Sequence, residues 1–217
     1  MTRTLLVGDV HGCAAALDGL VAHAKPDKIV LLGDLFTKGP DPRGVWERIQ
    51  SWKPECILGN HDFKVVAIWD GPSTSKAYAA RAALPDEARD WIASLPLFWR
   101  APGVIAVHAG LHPHEGMAGT DPAMAIILRR WPHDHDRANP FWWQLWPGPE
   151  RVVYGHDAMR GLQVRPRSIG LDTGCCYGQA LSGWVMEADE VYQVDPRGTP
   201  IVPPRRFWAD FAEPGPG

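Results

Sequence analysis

The sequence predicts an α/β fold in the form of a sandwich, and three observations predict it. Apolar strands and helices alternate in the order β-α-β-α-β over roughly the first 60 residues. These strands are continuously apolar, which is typical of parallel strands that are covered on both faces. Near the C-terminus, three short strands are separated by turn residues, which favours an antiparallel second sheet.

The first half of the chain supplies the alternation. We predict strands at 4–9, 28–34 and 55–60, with helices at 14–24 and 42–52. Pro42 suits the first turn of its helix, where the missing N–H is not needed. Residues 63–95 are predicted to be mostly helical, with breaks at 71–75 and at Pro85. We expect a small helical cap at 63–96 within one domain.

The second half returns to strands. We predict strands at 104–110 and 151–157 with a helix at 121–131 between them, and the three late strands at 168–174, 179–187 and 190–194. A single domain then spans 1–197, and 198–217 form a C-terminal tail rich in Pro and Gly near its end.

Composition excludes several function classes. The net charge of -3 and the pI of about 6.3 argue against bulk binding of nucleic acid or membrane surfaces. The sequence contains no apolar run of the length that spans a bilayer, and its N-terminus does not look like a signal peptide, so we expect a cytoplasmic protein. Four cysteines without a C-x-x-C pair predict neither a disulfide framework nor a cysteine zinc site.

Side chains that can bind metals follow five of the predicted strands. They are Asp9 and His11, Asp34, Asn60 and His61, His108, and His156. Ligands of α/β sheets bind beyond the carboxyl ends of the strands, so these side chains could converge on one crevice. Each has an ordinary structural explanation by itself, such as a helix cap, a turn or a core histidine. Together, in this order, they predict a metal site.

The donor types narrow the metal. Carboxylate, amide and imidazole groups without thiolate suit Mn, Fe, Zn, Co or Ni better than Ca or Mg. Six protein ligands are too many for one open catalytic ion, so we expect two ions that share a bridging carboxylate.

The motifs that carry these residues resemble a known family. "GDVHG", "GDLFTKGPD", "GNHD", "HAG" and "YGHD" resemble, in order, the signature blocks of the phosphoprotein-phosphatase branch of the calcineurin-like metallophosphoesterases. The resemblance covers about residues 4–195 and implies an α-β-β-α sandwich flanked by helices, with a small cap. Within the branch, "IGLDTGCCYGQALSGWVM" resembles the bacterial diadenosine tetraphosphatases and their small serine/threonine phosphatase relatives.

The resemblance also implies roles for the residues. The site would hold two divalent cations, with Mn²⁺ as our first expectation and Fe, Co, Ni or Zn as the alternatives. The first ion would be bound by Asp9, His11 and Asp34, and the second by Asp34, Asn60, His108 and His156. Asp34 would bridge the two ions, and a bridging hydroxide would attack phosphorus in line without a phosphoenzyme. His61 would be the general acid that protonates the leaving oxygen.

The second motif departs from the family pattern. The usual GDxVDRG is here GDLFTKG, with Thr37 in place of an Asp and Lys38 in place of a phosphate-binding Arg. Lys38 keeps the positive charge but loses the bidentate geometry. Arg129 or Arg130 could supply the missing fork, and the sequence does not decide between them.

The change at Thr37 bears on the substrate. The family's Asp orients the catalytic histidine, so without it His61 should be a poorer proton donor at neutral pH. This favours a leaving group that needs little protonation, which a phosphoanhydride provides and a serine alkoxide does not. Asp62 or Asp157 could instead replace the missing carboxylate.

We therefore expect cleavage of nucleoside polyphosphates, with diadenosine tetraphosphate first, and a serine/threonine or dual-specificity protein phosphatase as the alternative. An inactive binding scaffold is disfavoured because every expected ligand is present. The partner would be a small nucleotide or another phosphorylated substrate. Adenine could stack on one of the clustered aromatic residues, which otherwise form a satellite core: Trp131, Phe141, Trp142, Trp143 and Trp146. Asp172 either orients a ligand histidine or caps backbone amides.

Overall fold

Two β-sheets lie face to face in the computed structural model of the protein, which describes residues 2–71, 76–201 and 205–206. The strands are β1 (Thr4–Val7), β2 (Lys28–Leu31), β3 (Glu55–Cys56), β4 (Phe98–Ala101), β5 (Val104–Val107), β6 (Arg151–Tyr154), β7 (Gln163–Arg165), β8 (Ser168–Gly170), β9 (Leu181–Val185), β10 (Glu190–Val194) and β11 (Arg205–Arg206). The helices are α1 (Ala14–Ala24), α2 (Pro42–Trp52), α3 (Asn60–Ala67), α4 (Lys76–Ala83), α5 (Glu87–Ala93), α6 (Pro122–Ile127) and α7 (Trp142–Leu145).

Both sheets are mixed. The first has the strand order β11-β10-β9-β1-β2-β3, in which β1, β2 and β3 are parallel and β9 runs antiparallel to β1. The second has the order β4-β5-β6-β8-β7, with a parallel centre of β5, β6 and β8. Its edge strands β4 and β7 are antiparallel to their neighbours.

The apolar core confirms the predicted sandwich. Leu6, Val30 and Ile57 of the first sheet form one buried cluster with Val153 and Ile169 of the second, so the two sheets pack against each other. The outer face of the first sheet packs on α1 to α5, and the outer face of the second on α6 and α7. The result is the α-β-β-α order of layers, and strands buried on both faces explain the unbroken apolar runs in the sequence.

The late strands do not form a separate antiparallel sheet, so that prediction was wrong. Residues 168–174 give β8, which joins the second sheet parallel to β6. Residues 179–187 and 190–194 give β9 and β10, which extend the first sheet beside β1. Short strands separated by turns show where the chain reverses, but their partners depend on burial, and β9 is buried along its whole length.

Several elements are shorter than predicted. The third strand ends at Cys56, and Asn60 and His61 begin helix α3 instead of ending the strand. The helix predicted at 121–131 is α6, which ends at Ile127. Asp41 caps α2 as its side chain accepts a hydrogen bond of 2.7 Å from Gly44 N, and Pro42 lies in the first turn as predicted.

The helices at 63–96 share the core of the first sheet. Val65 of α3, Ala80 of α4 and Ile92 of α5 belong to the same buried cluster as α1 and α2. Their designation as a cap stays a prediction. The predicted tail lies largely outside the described residues, where 202–204 and 207–217 fall. Within the described ranges, none of the helices has the length and apolar character needed to cross a bilayer.

Candidate metal centre

The ends of five strands meet at one edge of the sandwich. Asp9 and His11 follow β1, Asp34 follows β2, and Asn60 begins the helix after β3, while His108 and His156 follow β5 and β6. The structure brings all six of these predicted ligands into one cluster. The first four come from the first sheet and the two late histidines from the second.

Asp34 lies at the centre of the cluster. Its Oδ2 is 3.4 Å from His11 Nε2, and its Oδ1 is 3.4 Å from His108 Nε2. Asp9, Asp34 and His108 each offer a ligand atom within 4.8 Å of the others. A carboxylate that faces a different histidine with each oxygen has the geometry that a bridging ligand needs.

Asn60 connects the two late histidines. Its Oδ1 lies 3.1 Å from His108 Nε2 and 3.1 Å from His156 Nδ1. The backbone N–H of His156 donates to Asp9 Oδ1 at 3.1 Å, which joins the β6 end to the β1 end. This hydrogen bond joins the segment after β1 in the first sheet to the segment after β6 in the second, so the two sheets are linked at the site.

The backbone at the cluster is strained. His11, Asp34 and His156 have positive φ angles of 47°, 52° and 66°, a region that residues other than glycine seldom adopt. Such strain is often found at functional sites, where it aims a side chain. Gly155 leaves room for the cluster, since a Cβ there would lie 2.0 Å from Asp9 Oδ1.

Burial determines the charges. It lowers the pKa of His11 to about 3 and that of His156 to about 2, so both imidazoles are neutral near pH 7 and can donate a lone pair to a metal. Burial also raises the pKa of Asp9 well above its ordinary value. Burial alone would raise the pKa of Asp34 as well, but His108 and His11 hold it below its ordinary value.

The residues fit a divalent cation. Within the part of the chain that the structure describes, the ion pairs of Asp9 and Asp34 are with histidines alone, so these buried carboxylates lack a permanent positive partner. His156 Nε2 is buried and has no hydrogen-bond partner among the residues that the structure describes. Buried polar groups are normally satisfied, and a cation would satisfy both the carboxylates and this nitrogen.

His61 lies beside the cluster. Its backbone N–H donates to Asp34 Oδ1 at 2.8 Å, and its ring meets the His11 ring edge-on at 5.1 Å between centroids. Burial, together with the positive charges of Lys38 and Lys64, lowers the pKa of His61 to about 4. Very little of the imidazole carries the extra proton at neutral pH, so His61 is a poor general acid there.

Thr37 contacts a different histidine from the one that the family comparison suggested. Its fully buried Oγ1 is 3.1 Å from His11 Nδ1, so position 37 supports a predicted metal ligand. Asp62 does not replace the missing carboxylate, because it accepts from Leu35 N and Gly59 N at 2.8 and 3.2 Å.

Asp157 does not replace it either. Its carboxylate lies 2.9 Å from Arg160 Nε and 3.8 Å from Arg129 Nε. The ion pairs of Asp157 among the described residues are therefore with arginines, and no hydrogen bond links its carboxylate to His61.

The cluster opens into a cavity of about 670 Å³. Three cationic side chains line it, namely Lys38, Arg129 and Arg160, and Lys38 Nζ lies 3.0 Å from His11 Nε2. Arg129 Nη2 donates to His156 O at 3.1 Å, which fixes its position at the cavity wall.

Arg130 does not line the cavity. Its guanidinium stacks on the Phe141 ring at 3.9 Å and donates to Asn139 O. Of the two neighbouring arginines, Arg129 is thus the one that lines the cavity, and its phosphate-binding role stays a prediction.

The aromatic cluster does not form the cavity wall. Trp142 is 1% exposed and packs on the outer face of the second sheet. The Phe141 ring has the Arg130 and Arg160 guanidinium groups over it at 3.9 and 3.7 Å. Trp131, Trp143 and Trp146 pack against the same buried cluster as Trp142, so the tryptophans form a satellite core, which was the predicted alternative to a stacking site.

Sequence reasoning missed several cavity residues: Met159, Arg160, Tyr177 and Gln179. Only Tyr177 left a signal, as an aromatic residue in the glycine-bounded stretch "GCCYG". Asp172 lines the cavity too. Its Oδ1 accepts from Gly174 N at 3.1 Å, so it caps a backbone amide, and its carboxyl group lies near enough to Asp9 to help raise the pKa of that predicted ligand.

An α-β-β-α sandwich that gathers carboxylate, amide and imidazole groups at its strand ends defines the metallophosphoesterase class of hydrolases. The sequence profile of this class, described as Calcineurin-like phosphoesterase, matches residues 2–187. The chain belongs to the calcineurin-like phosphoesterase family and is a hydrolase.

Among its relatives, a protein of Bordetella pertussis named symmetrical bis(5'-nucleosyl)-tetraphosphatase is 29% identical, over 88% of this chain and 97% of the relative. A protein of the same name from Methylobacillus flagellatus is 25% identical over 88% and 94%. The first alignment spans 269 positions, more than the 217 residues of this chain, so that relative carries segments that are absent here.

Solved structures agree on the fold. A protein described as a candidate diadenosine tetraphosphatase superposes with a TM-score of 0.82 at 32% identity, covering 89% of this chain and 93% of its own. A cold-active protein tyrosine phosphatase superposes with a TM-score of 0.57 at 14% identity, covering 92% and 78%, and this likeness shows the fold alone.

Proposed function

We propose that the protein is a metal-dependent hydrolase of nucleoside polyphosphates, with diadenosine tetraphosphate as its first candidate substrate. The observation that carries this proposal is the cavity of about 670 Å³, which joins the candidate metal cluster to three cationic side chains. A cavity of this size accommodates a nucleotide, and three cations suit a chain of several phosphates. The names of the relatives, bis(5'-nucleosyl)-tetraphosphatase and candidate diadenosine tetraphosphatase, support the same substrate class.

The cluster would hold two divalent cations, with Mn²⁺ as our first choice. Asp9, His11 and Asp34 would bind one ion, and Asp34, Asn60, His108 and His156 the other, in accord with the central place of Asp34. When bound, divalent cations neutralise charge on phosphoryl oxygens and lower the pKa of water. The neutral imidazoles and the buried carboxylates provide nitrogen and oxygen donors that suit such ions.

His61 would act on the leaving oxygen, with limits that favour a phosphoanhydride. Its pKa of about 4 leaves little imidazolium at neutral pH, and no carboxylate hydrogen-bonds to its ring among the described residues. A departing nucleotide phosphate needs little help, because its second pKa is near 6. A serine alkoxide needs a proton at once, so this site suits polyphosphates better than phosphoserine.

The cationic side chains would position the phosphate chain. Arg129 can bind phosphoryl oxygens with two N–H groups, while Lys38 acts as a point charge beside His11. Arg160 lines the same cavity beside Asp157 and would bind another phosphate of the chain. This division of work matches a substrate with several phosphates in a row.

The domain division and the location belong to the same proposal. We propose one domain over 1–197, in which the helices at 63–96 are a small cap. No described residue between 63 and 96 lines the cavity, in keeping with a reduced cap. Four free cysteines suit the reducing cytoplasm.

The test is a substrate panel with purified protein and Mn²⁺. It comprises diadenosine tetraphosphate, ATP, inorganic tripolyphosphate and a phosphoserine peptide, with products identified by chromatography. We expect the dinucleotide to give the highest kcat/KM and Asp34→Asn to abolish turnover. The control is Asp27→Asn, which makes the same chemical change just before β2, at the opposite end of the strand from Asp34, and should keep full activity. Faster turnover of the peptide would replace this proposal with the protein phosphatase alternative.

A further inference from the structure

Two exposed apolar side chains lie on the wall of the cavity. Most large apolar side chains of the described residues are buried, but Met159 is 97% exposed and Tyr177 is 59% exposed, and both line the cavity. Apolar surface that stays exposed beside charged groups indicates a binding surface. These two residues have no part in the metal cluster or in the set of phosphate-binding cations.

The backbone holds Tyr177 firmly. It ends a short 3-10 turn, Cys175–Tyr177, that is bounded by Gly174 and Gly178 with φ angles of 74° and 88°. Tyr177 N donates to Gly174 O at 2.9 Å, and Cys175 is buried beneath the turn. A ring on an anchored turn loses little conformational freedom when it binds a flat ligand.

Lys38 connects this ring to the phosphate site. Its Nζ lies 5.3 Å from the centroid of the Tyr177 ring and 3.0 Å from His11 Nε2. Lys38 thus places a positive charge, which a phosphate needs, between the metal cluster and an aromatic ring on which a base could stack. Nucleotides present these two chemistries side by side.

The other aromatic residues near the site are already occupied. Guanidinium groups lie over Phe141 at 3.9 and 3.7 Å and over Trp143 at 3.4 Å, and Trp142 is buried. Tyr177 has the Lys38 ammonium over its ring at the longer distance of 5.3 Å, and the side chain is 59% exposed, so much of the ring stays open. Within the described ranges, Tyr177 is the one Phe, Tyr or Trp side chain that lines the cavity.

We infer that Tyr177 is the platform on which a nucleobase of the substrate stacks, with Met159 adding apolar contact and Lys38 binding the adjacent phosphate. The inference rests on the proposed function and names the part of the cavity that reads the nucleoside. Aromatic rings stack on bases through their π faces, and a thioether packs well against an aromatic edge. Tyr177 is thereby a specificity-determining residue that separates nucleotides from bare polyphosphates.

The test compares substrates with and without a base. Tyr177→Ala should lower kcat/KM for diadenosine tetraphosphate by roughly 10–100-fold, mainly through KM, since a stacked base contributes on the order of that factor. Turnover of inorganic tripolyphosphate should change by less than about threefold, because the phosphate-binding groups remain. Tyr177→Phe should restore dinucleotide activity, because it keeps the ring. Equal losses on both substrates, or no loss on either, would overturn the inference.

Two further measurements keep the inference separate from the proposed function. Trp52→Ala removes a partly exposed aromatic residue on a distant groove and should change neither activity. A wild-type protein that cleaves tripolyphosphate but no nucleotide would overturn the proposed function. Calorimetry with AMP and with pyrophosphate then decides on Tyr177 independently. If Tyr177→Ala binds AMP more weakly but pyrophosphate as tightly as wild type does, the stacking role of Tyr177 is supported, and any other pattern rejects it.

Discussion

Replacing Gly155 with alanine tests whether the position of Asp9 matters to the reaction. A Cβ at this position would lie 2.0 Å from Asp9 Oδ1, and real Cβ contacts stay beyond about 3 Å, so the carboxylate must move by about 1 Å. The next neighbour outside Asp9 is His108 O at 3.7 Å, which is an ordinary contact. The strain therefore falls on the carboxylate and on its hydrogen bond from His156 N.

The two expected magnitudes differ. Moving a reacting group by about 1 Å costs on the order of 100-fold in rate. Overpacking of this kind costs about 1–3 kcal/mol, which for a chain of this length lowers Tm by roughly 2–12 °C. Gly155→Ala should thus stay folded at 25 °C, yet bind Mn²⁺ more weakly and lose most of its kcat/KM.

The assay pairs steady-state turnover of diadenosine tetraphosphate with a calorimetric Mn²⁺ titration and a thermal melt. Gly71→Ala is the matched control, because among the described residues the atom nearest to its Cβ would be Ile68 O at 3.9 Å, an ordinary contact. We expect the control to behave like wild type in all three measurements. Wild-type metal affinity and turnover in Gly155→Ala would refute the placing of Asp9 among the ligands.

Four other predictions follow from the same geometry. Removing metal with a chelator should abolish activity and lower Tm by roughly 5–10 °C, because bound ligand at 100 times its Kd contributes about 2.7 kcal/mol; an unchanged melt would contradict metal binding. Thr37→Val deletes the hydroxyl beside His11 Nδ1 and should weaken Mn²⁺ binding about 10–100-fold by calorimetry, whereas equal affinity would make that contact irrelevant. Arg129→Ala should lower kcat/KM about 100-fold and Arg130→Ala less than about threefold, and the reverse order in steady-state assays would exchange their roles. In chelated protein, the pKa of His61 is about 4, so the unfolded chain binds the proton at higher pH than the folded protein does. Stability therefore falls as the pH drops from about 6.5 to 4, and His61→Gln should lose less stability over this range. The same pH dependence of Tm in wild type and His61→Gln would exclude this effect.

The sequence predicted the site better than it predicted the path of the chain. The candidate ligands stood directly after apolar strands, and the rule that strand ends converge was sufficient to group Asp9, Asp34 and His108. The layered fold was also predictable, because strands such as β1 are apolar on both faces and must be covered twice. Local pattern carries this information, and no knowledge of strand partners is needed.

Strand partners and side-chain neighbours were not predictable in the same way. Residues 179–187 look like a strand of any antiparallel sheet, and only three-dimensional packing places them beside β1. Arg129 and Arg130 are adjacent and identical in type, and their different contacts depend on the turn after α6. Tyr177 could be noticed in the sequence, but its neighbour Lys38 is far away along the chain.

Ligands from both sheets make the cluster a seam between the two halves of the sandwich. The first sheet brings four of the six predicted ligands and the second brings His108 and His156, so neither layer has the full set. A cation that spans the seam would add a cross-link to the apolar contacts and the few hydrogen bonds, such as that from His156 N to Asp9 Oδ1, that already join the layers. When cations are added, hydrogen exchange of backbone amides should then slow in both sheets at the same time, because the cations hold the two layers together.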